Sequence, residues 1–72
     1  GGNGNDQISG GIGNDNIKGE NGNDTITGDE DNDNMDGGNG SDNLTGNAGI
    51  DIANGKSGTD TCDAETMIQC NP

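Results

Sequence analysis

The chain has no Phe, Tyr or Trp, no His, and two basic residues among 72. Only 21% of it is hydrophobic, too little for an ordinary core at this length. Without His, a zinc site would need carboxylates to complete it. The lack of His and of aromatic residues also leaves no machinery for catalysis, so the sequence does not read as an enzyme. Two lysines against 14 acids give a net charge of −12, which cannot neutralise phosphates and excludes nucleic acid as a partner. No apolar run is long enough for a membrane span or a signal peptide. The chain does not open with Met, which suggests a processed or excised piece of a longer protein.

Low hydrophobicity with strong net charge predicts disorder when composition alone is read. The same charge suits a polycation or metal ions. The densest acidic stretch, Gly28–Asp36 (GDEDNDNMD), invites comparison with an EF-hand calcium loop. That loop needs oxygen donors at positions 1, 3 and 5, Gly at 6 and Glu at 12. Counted from Asp29, position 6 is Asn34 and position 12 is Gly40; counted from Asn32, position 12 is Asn43. No helix-forming run flanks either frame, so the acids need another explanation.

An internal repeat supplies it. Gly recurs at 1, 10, 19, 28, 37, 46 and 55, and Asp at 6, 15, 24, 33, 42, 51 and 60. Gly holds the fourth position of every unit except one, where Asp31 replaces it. The eighth position is Ile8, Ile17, Ile26, Met35, Leu44, Ala53 and Cys62. Seven nonapeptides therefore cover residues 1–63, followed by a tail over 64–72. Six residues rich in Gly and Asn suit a turn with positive φ. The three that follow (QIS, NIK, TIT, NLT) place one apolar residue between polar ones, a minimal strand with its centre facing inward.

One such strand buries almost nothing, so units must stack, two to a coil of eighteen residues. Odd units then place Ile8, Ile26, Leu44 and Cys62 in one sheet. Even units place Ile17, Met35 and Ala53 in the facing sheet. Stacking also aligns the seven Asp along two edges at a strand spacing of about 5 Å, where like charges repel. So small a core cannot overcome that repulsion together with chain entropy, and a divalent cation is required. Oxygen donors without His select calcium over transition metals, and the flexible donor set disfavours magnesium.

The units GGNGNDQIS (1–9), GGIGNDNIK (10–18) and GGNGSDNLT (37–45) resemble the GGxGxDxUx nonapeptide of RTX (haemolysin-type) calcium-binding repeats. The resemblance implies an all-β fold, a right-handed parallel β-roll (β-solenoid) of seven half-turns with a C-terminal cap. It implies calcium held between turns two units apart. The earlier turn supplies second- and fourth-position carbonyls and its Asp; the later turn supplies first- and third-position carbonyls and its Asp.

Carried onto this chain, one site takes Gly2, Gly4, Asp6, Gly19, Asn21 and Asp24. A second takes Gly11, Gly13, Asp15, Gly28, Glu30 and Asp33. A third takes Glu20, Gly22, Asp24, Gly37, Asn39 and Asp42. A fourth takes Asp29, Asp31, Asp33, Gly46, Ala48 and Asp51. A fifth takes Gly38, Gly40, Asp42, Gly55, Ser57 and Asp60. Five Ca²⁺ would bring the net charge from −12 to about −2.

Glu20, Asp29, Asn47 and Lys56 stand where the second Gly is expected, and Asp31 at the fourth position needs a left-handed backbone. The extra acids of the fourth unit are expected to strengthen the sites it shares, with Asp31 also ligating through its carboxylate. The sixth unit puts Ile52 outside and only Ala53 inside, which narrows the roll there.

In the tail, Met67 and Ile68 are expected to fold across the open end. A Cys62–Cys70 disulfide would clasp them, consistent with an oxidising, extracellular setting. The favoured reading is a calcium-folded structural module of a secreted or cell-surface protein. Two alternatives accompany it. One is a filament subunit that self-associates through the open N-terminal end. The other is an ice-binding or adhesin segment using ladders such as Asn3, Asn21 and Asn39 beside Thr25, Thr27, Thr45 and Thr61.

Overall fold

The computed structural model describes residues 1–70; Asn71 and Pro72, the last of the expected tail, lie outside the described residues. Strands of three residues follow one another as β1 (Gln7–Ser9), β2 (Asn16–Lys18), β3 (Thr25–Thr27), β4 (Asn34–Asp36), β5 (Asn43–Thr45), β6 (Ile52–Asn54), β7 (Thr61–Asp63) and β8 (Thr66–Ile68). They alternate between two parallel sheets, β1-β3-β5-β7 and β2-β4-β6-β8. The chain is thus a β-solenoid with two nonapeptides to each coil, measuring 26 × 22 × 12 Å.

Register follows from the apolar centre of each strand, because a slip of one residue would turn that side chain outward. Ile8 pairs with Ile26, Ile26 with Leu44 and Leu44 with Cys62 in the odd sheet. Ile17 pairs with Met35 and Met35 with Ala53 in the even sheet. Ile17, Ile26, Met35, Leu44 and Ala53 form the buried core, with Ile8, Cys62 and Ala64 packed against it. Unit six keeps the register: Ala53 is fully buried and Ile52 is 40% exposed. That single methyl in place of a branched side chain makes it the thinnest layer of the core.

The turns hold to the period because of what surrounds the fourth position. A Cβ on Gly22 would run into the carbonyl of Gly4 one coil earlier, and one on Gly40 into the carbonyl of Gly22. At the second position a Cβ on Gly38 would likewise meet the Glu20 carbonyl one coil earlier, yet four units carry a non-glycine residue there on a left-handed backbone. Glu20 (φ 74), Asp29 (φ 73), Asn47 (φ 67) and Lys56 (φ 63) all adopt it, as does Asp31 (φ 71). Such conformations cost roughly 1–2 kcal/mol each for a residue with a Cβ, so the surrounding ladder holds them in place.

The tail departs from the expectation that Met67 and Ile68 lie across the open end. They belong to β8, which continues the even sheet with Met67 beside Ala53 and Ile68 beside Asn54. Only Ala64 and Glu65 separate β7 from β8, where the other turns have six residues. The partner of Ala53 therefore lies 14 residues on instead of 18. The reason is local: Thr66, Met67 and Ile68 carry the same polar–apolar pattern centre as the earlier strands, and a shorter turn suffices to bring them onto β6. Cys62 and Cys70 are joined by a disulfide with Cα atoms 5.9 Å apart, closing a loop around β8.

The fourth-position contact yields a comparison within one site class. Gly22→Ala should destabilise the folded protein by more than about 2 kcal/mol, from strain plus collision with a backbone carbonyl. Gly4→Ala, whose Cβ meets nothing within 4 Å, should cost only about 1 kcal/mol from its φ of 98. Urea unfolding of both variants in saturating calcium checks this, and equal losses would contradict it.

Candidate metal centre

The residue before each strand from β1 to β7 is the in-phase Asp, and the parallel register stacks these residues into two ladders. On one edge Asp24 Oδ1 accepts from the Asp6 N–H at 2.9 Å, Asp42 Oδ1 from Asp24 at 2.8 Å, and Asp60 Oδ1 from Asp42 at 2.7 Å. On the other edge Asp33 Oδ1 accepts from Asp15 at 2.9 Å and Asp51 Oδ1 from Asp33 at 2.8 Å. The second oxygen behaves differently. Oδ2 of Asp6, Asp15, Asp24, Asp33, Asp42, Asp51 and Asp60 is buried and has no hydrogen-bond partner. Asp24, Asp33, Asp42, Asp51 and Asp60 are themselves no more than 3% exposed.

A buried carboxylate oxygen without a donor is costly, and the carboxylates stacked within each ladder repel one another as well. Asp15, Asp42 and Asp51 hold their protons more tightly as a result. Burial pushes Asp42 up to about 6, and the Asp60 and Asp24 carboxylates add to the rise against a backbone hydrogen bond that lowers it. Asp15 and Asp51 are also raised, again by desolvation first; for Asp51 the Asp33 and Glu65 charges contribute.

Each Oδ2 is turned toward the first residue of its own turn. A Cβ added to Gly19 would lie 2.6 Å from Asp24 Oδ2, and one on Gly37 2.6 Å from Asp42 Oδ2. First-position glycine is thus the residue that leaves room beside the carboxylate. Among the described residues no three acidic, His or Cys side chains converge on one point. A cation between two turns would therefore take carboxylates from one ladder step and backbone carbonyls for the rest. The donor set is all oxygen, hard and partly preformed, which suits calcium.

This arrangement is what the nonapeptide signature describes. The RTX calcium-binding nonapeptide repeat, in its four-copy form, matches residues 1–35 and again residues 36–66. The chain belongs to this family. No curated protein and no solved structure matches it. Membership in the RTX family makes the chain a calcium-binding β-roll module, and the family is structural, not enzymatic.

Several of the residues expected to hold calcium are already engaged. On the odd edge the second-position carbonyls of Gly2, Glu20 and Gly38 accept from the N–H of Asn21, Asn39 and Ser57 at 3.2, 2.8 and 3.2 Å. A carbonyl oxygen has two lone pairs, so each keeps one for a cation. In the fourth unit, Asp29 Oδ2 accepts from the Gly11 N–H at 3.2 Å and Asp31 Oδ2 from the Gly13 N–H at 3.0 Å. The Asp31 carboxylate, expected to reach calcium directly, thus has a main-chain partner one coil away. These two acids tie unit four to unit two.

One functional residue escaped the sequence reading. Glu65 Oε1 accepts from the Asp51 N–H at 3.0 Å, the place a sixth-position Asp would take if the period continued. It directly precedes β8, as each in-phase Asp precedes its strand, and that adjacency is the signal that could have found it. The nine-residue phase, which points to Gln69 at that position, hides it.

Two outcomes follow from the ladders. Asp42 binds protons more tightly folded than unfolded, so without calcium the folded state gains stability as pH falls from about 6 toward 4. Far-UV circular dichroism of the calcium-free chain should show more β-signal at the acid end. In calcium the sign reverses, because protons compete for the same oxygens. The calcium midpoint should therefore rise on acidification below about 6. Separately, Glu65→Ala should cost about 1 kcal/mol and speed hydrogen exchange at Thr66 and Gly55, which bond across β6 and β8, while leaving Asn43 in β5 protected.

Proposed function

We propose that the chain is a calcium-assembled structural segment of an extracellular protein, unfolded at low calcium and folding as the ions enter. The observation that carries this reading is the set of seven buried Oδ2 atoms without a partner. A fold that seals so many carboxylate oxygens away from water is stable only with cations beside them. Binding free energy then becomes folding free energy, because the donors are assembled only in the coil stack. Calcium is abundant outside cells and scarce within, so such a module stays open during synthesis and closes after export. The Cys62–Cys70 disulfide fits the same oxidising setting.

The proposed sites number five, each between turns eighteen residues apart. Asp24 and Asp42 each serve two sites on the odd edge, and Asp33 serves two on the even edge. Asp6, Asp15, Asp51 and Asp60 serve one each. The carbonyls of Gly2, Gly4, Gly19, Asn21, Glu20, Gly22, Gly37, Asn39, Gly38, Gly40, Gly55 and Ser57 complete the odd-edge sites. Those of Gly11, Gly13, Gly28, Glu30, Asp29, Asp31, Gly46 and Ala48 complete the even-edge sites. The role is scaffolding: the module sets spacing and rigidity within its parent protein, and calcium switches that rigidity on.

Calcium titration followed by circular dichroism, with native mass spectrometry to count ions, tests this. The wild-type chain should pass cooperatively from coil to β-structure. Asp42→Asn should lose two ions and Asp60→Asn one, with the midpoint raised on the order of tenfold or more for the first. A full β-spectrum in excess chelator would sink the mechanism.

A further inference from the structure

Four Asn-Gly pairs occur in the chain: Asn3-Gly4, Asn21-Gly22, Asn39-Gly40 and Asn54-Gly55. In such a pair the glycine amide nitrogen can attack the side-chain carbonyl carbon of the preceding Asn, because no Cβ obstructs the approach. The new N–C bond closes a five-membered imide and expels the side-chain nitrogen as ammonia. Water then opens the ring at either carbonyl, leaving Asp or an isoaspartate whose main chain runs through the former side chain. The net reaction consumes one water and releases one ammonia, and needs no other reactant.

The fold sorts the four pairs. Asn54-Gly55 joins the end of β6 to the next turn, and there the nucleophile is held. The Gly55 N–H donates to Ile68 O at 2.9 Å, Gly55 is buried, and Asn54 Oδ1 accepts from the Lys56 N–H at 3.1 Å. The other three pairs occupy the third and fourth positions of odd turns. Asn3, Asn21 and Asn39 are exposed, and among the described residues the N–H groups of Gly4 and Gly40 have no hydrogen-bond partner, whereas the main chain at Asn21 is bridged to that at Asn39.

Their side chains are restrained to different degrees. Asn21 Nδ2 donates to Asn3 Oδ1 and Asn39 Nδ2 donates to Asn21 Oδ1, both at 2.9 Å. Asn21 is therefore held at both ends, whereas Asn39 is held only through its leaving nitrogen.

We propose that Asn39 is a spontaneous deamidation site of the folded protein, with Asn21 slower and Asn54 protected by the β6–β8 bond. Reaction at Asn39 replaces an amide donor with a carboxylate facing Asn21 Oδ1. The isoaspartate product also adds one main-chain atom to a turn that depends on a strict nine-residue phase. Under the calcium reading proposed above, the product loosens a third-position carbonyl donor, so the module loses calcium affinity as it ages.

The test is peptide mapping after prolonged incubation at mild alkaline pH, scoring a gain of one mass unit at each Asn. One sample is kept in saturating calcium with its β-spectrum verified, the other in concentrated urea. In the folded sample Asn39 should react roughly fivefold or more faster than Asn54. In urea the two rates should converge, since the same dipeptide is then equally free. Asn54 keeping pace with Asn39 in the folded sample would overturn the proposal. So would a silent Asn39 in a folded sample whose urea counterpart reacts. Both readouts concern relative rates within a chain of verified fold, so they stand apart from the number of calcium ions bound.

Discussion

One carboxylate oxygen in each in-phase aspartate joins the coils, and the other is left facing a space with no donor in it. Oδ1 takes the main-chain N–H of the aspartate one coil earlier, while Oδ2 is sealed beside the first glycine of its own turn. Much of the rest depends on this division. The eighteen-residue register brings the two oxygens to their places. First-position glycine leaves the space open, since a Cβ there would meet Oδ2. The core is too thin to hold so many unmatched charges together, so its stability is conditional on what enters beside them.

The unit with the most acids shows how the repeat absorbs departures from its pattern. Asp29 and Asp31 stand where glycine is usual, and both take the left-handed backbone that the turn requires. Their side chains bond to main-chain N–H groups of the unit one coil before, which offsets part of the conformational cost. Fifth-position amides do similar work: Asn5 accepts from the Asn23 N–H and Asn14 from the Asn32 N–H, each across one coil. The coils are thus joined by polar contacts at several heights of each turn, and the small apolar centre is only one of the restraints.

Beyond β7 the described chain shortens its turn and continues the even sheet. Dropping four residues from the last turn removes most of a calcium-binding loop yet still returns the chain to the even sheet. Glu65, longer than Asp by one methylene, reaches the Asp51 N–H from that abbreviated turn. The disulfide then fixes β8 to β7 from the other side. Ladder and strand both end in a residue adapted to the missing length, and Met67 and Ile68 remain more than 40% exposed at that end.

The period of nine was sufficient to read the two sheets, the inward residue of every strand from Ile8 to Cys62, and the stacking of the seven aspartates. These follow because parallel coils admit only one register that keeps each apolar centre inside. The left-handed requirement at Asp31 was legible for a similar reason, since a period fixes backbone geometry as well as side-chain direction. The fate of the individual oxygens was not legible. Which carboxylate oxygen joins the ladder, which carbonyls already accept hydrogen bonds, and where Asp31 points depend on distances between residues eighteen apart, and a one-dimensional pattern does not carry those. Glu65 and β8 escaped because phase counting assumes a constant turn length. Only coils stacked in three dimensions show that two residues can span what six spanned elsewhere. Sequence periodicity is a statement about repeats that agree; the end of a solenoid is where they stop agreeing, and there hydrogen-bond geometry and strand pairing set the outcome.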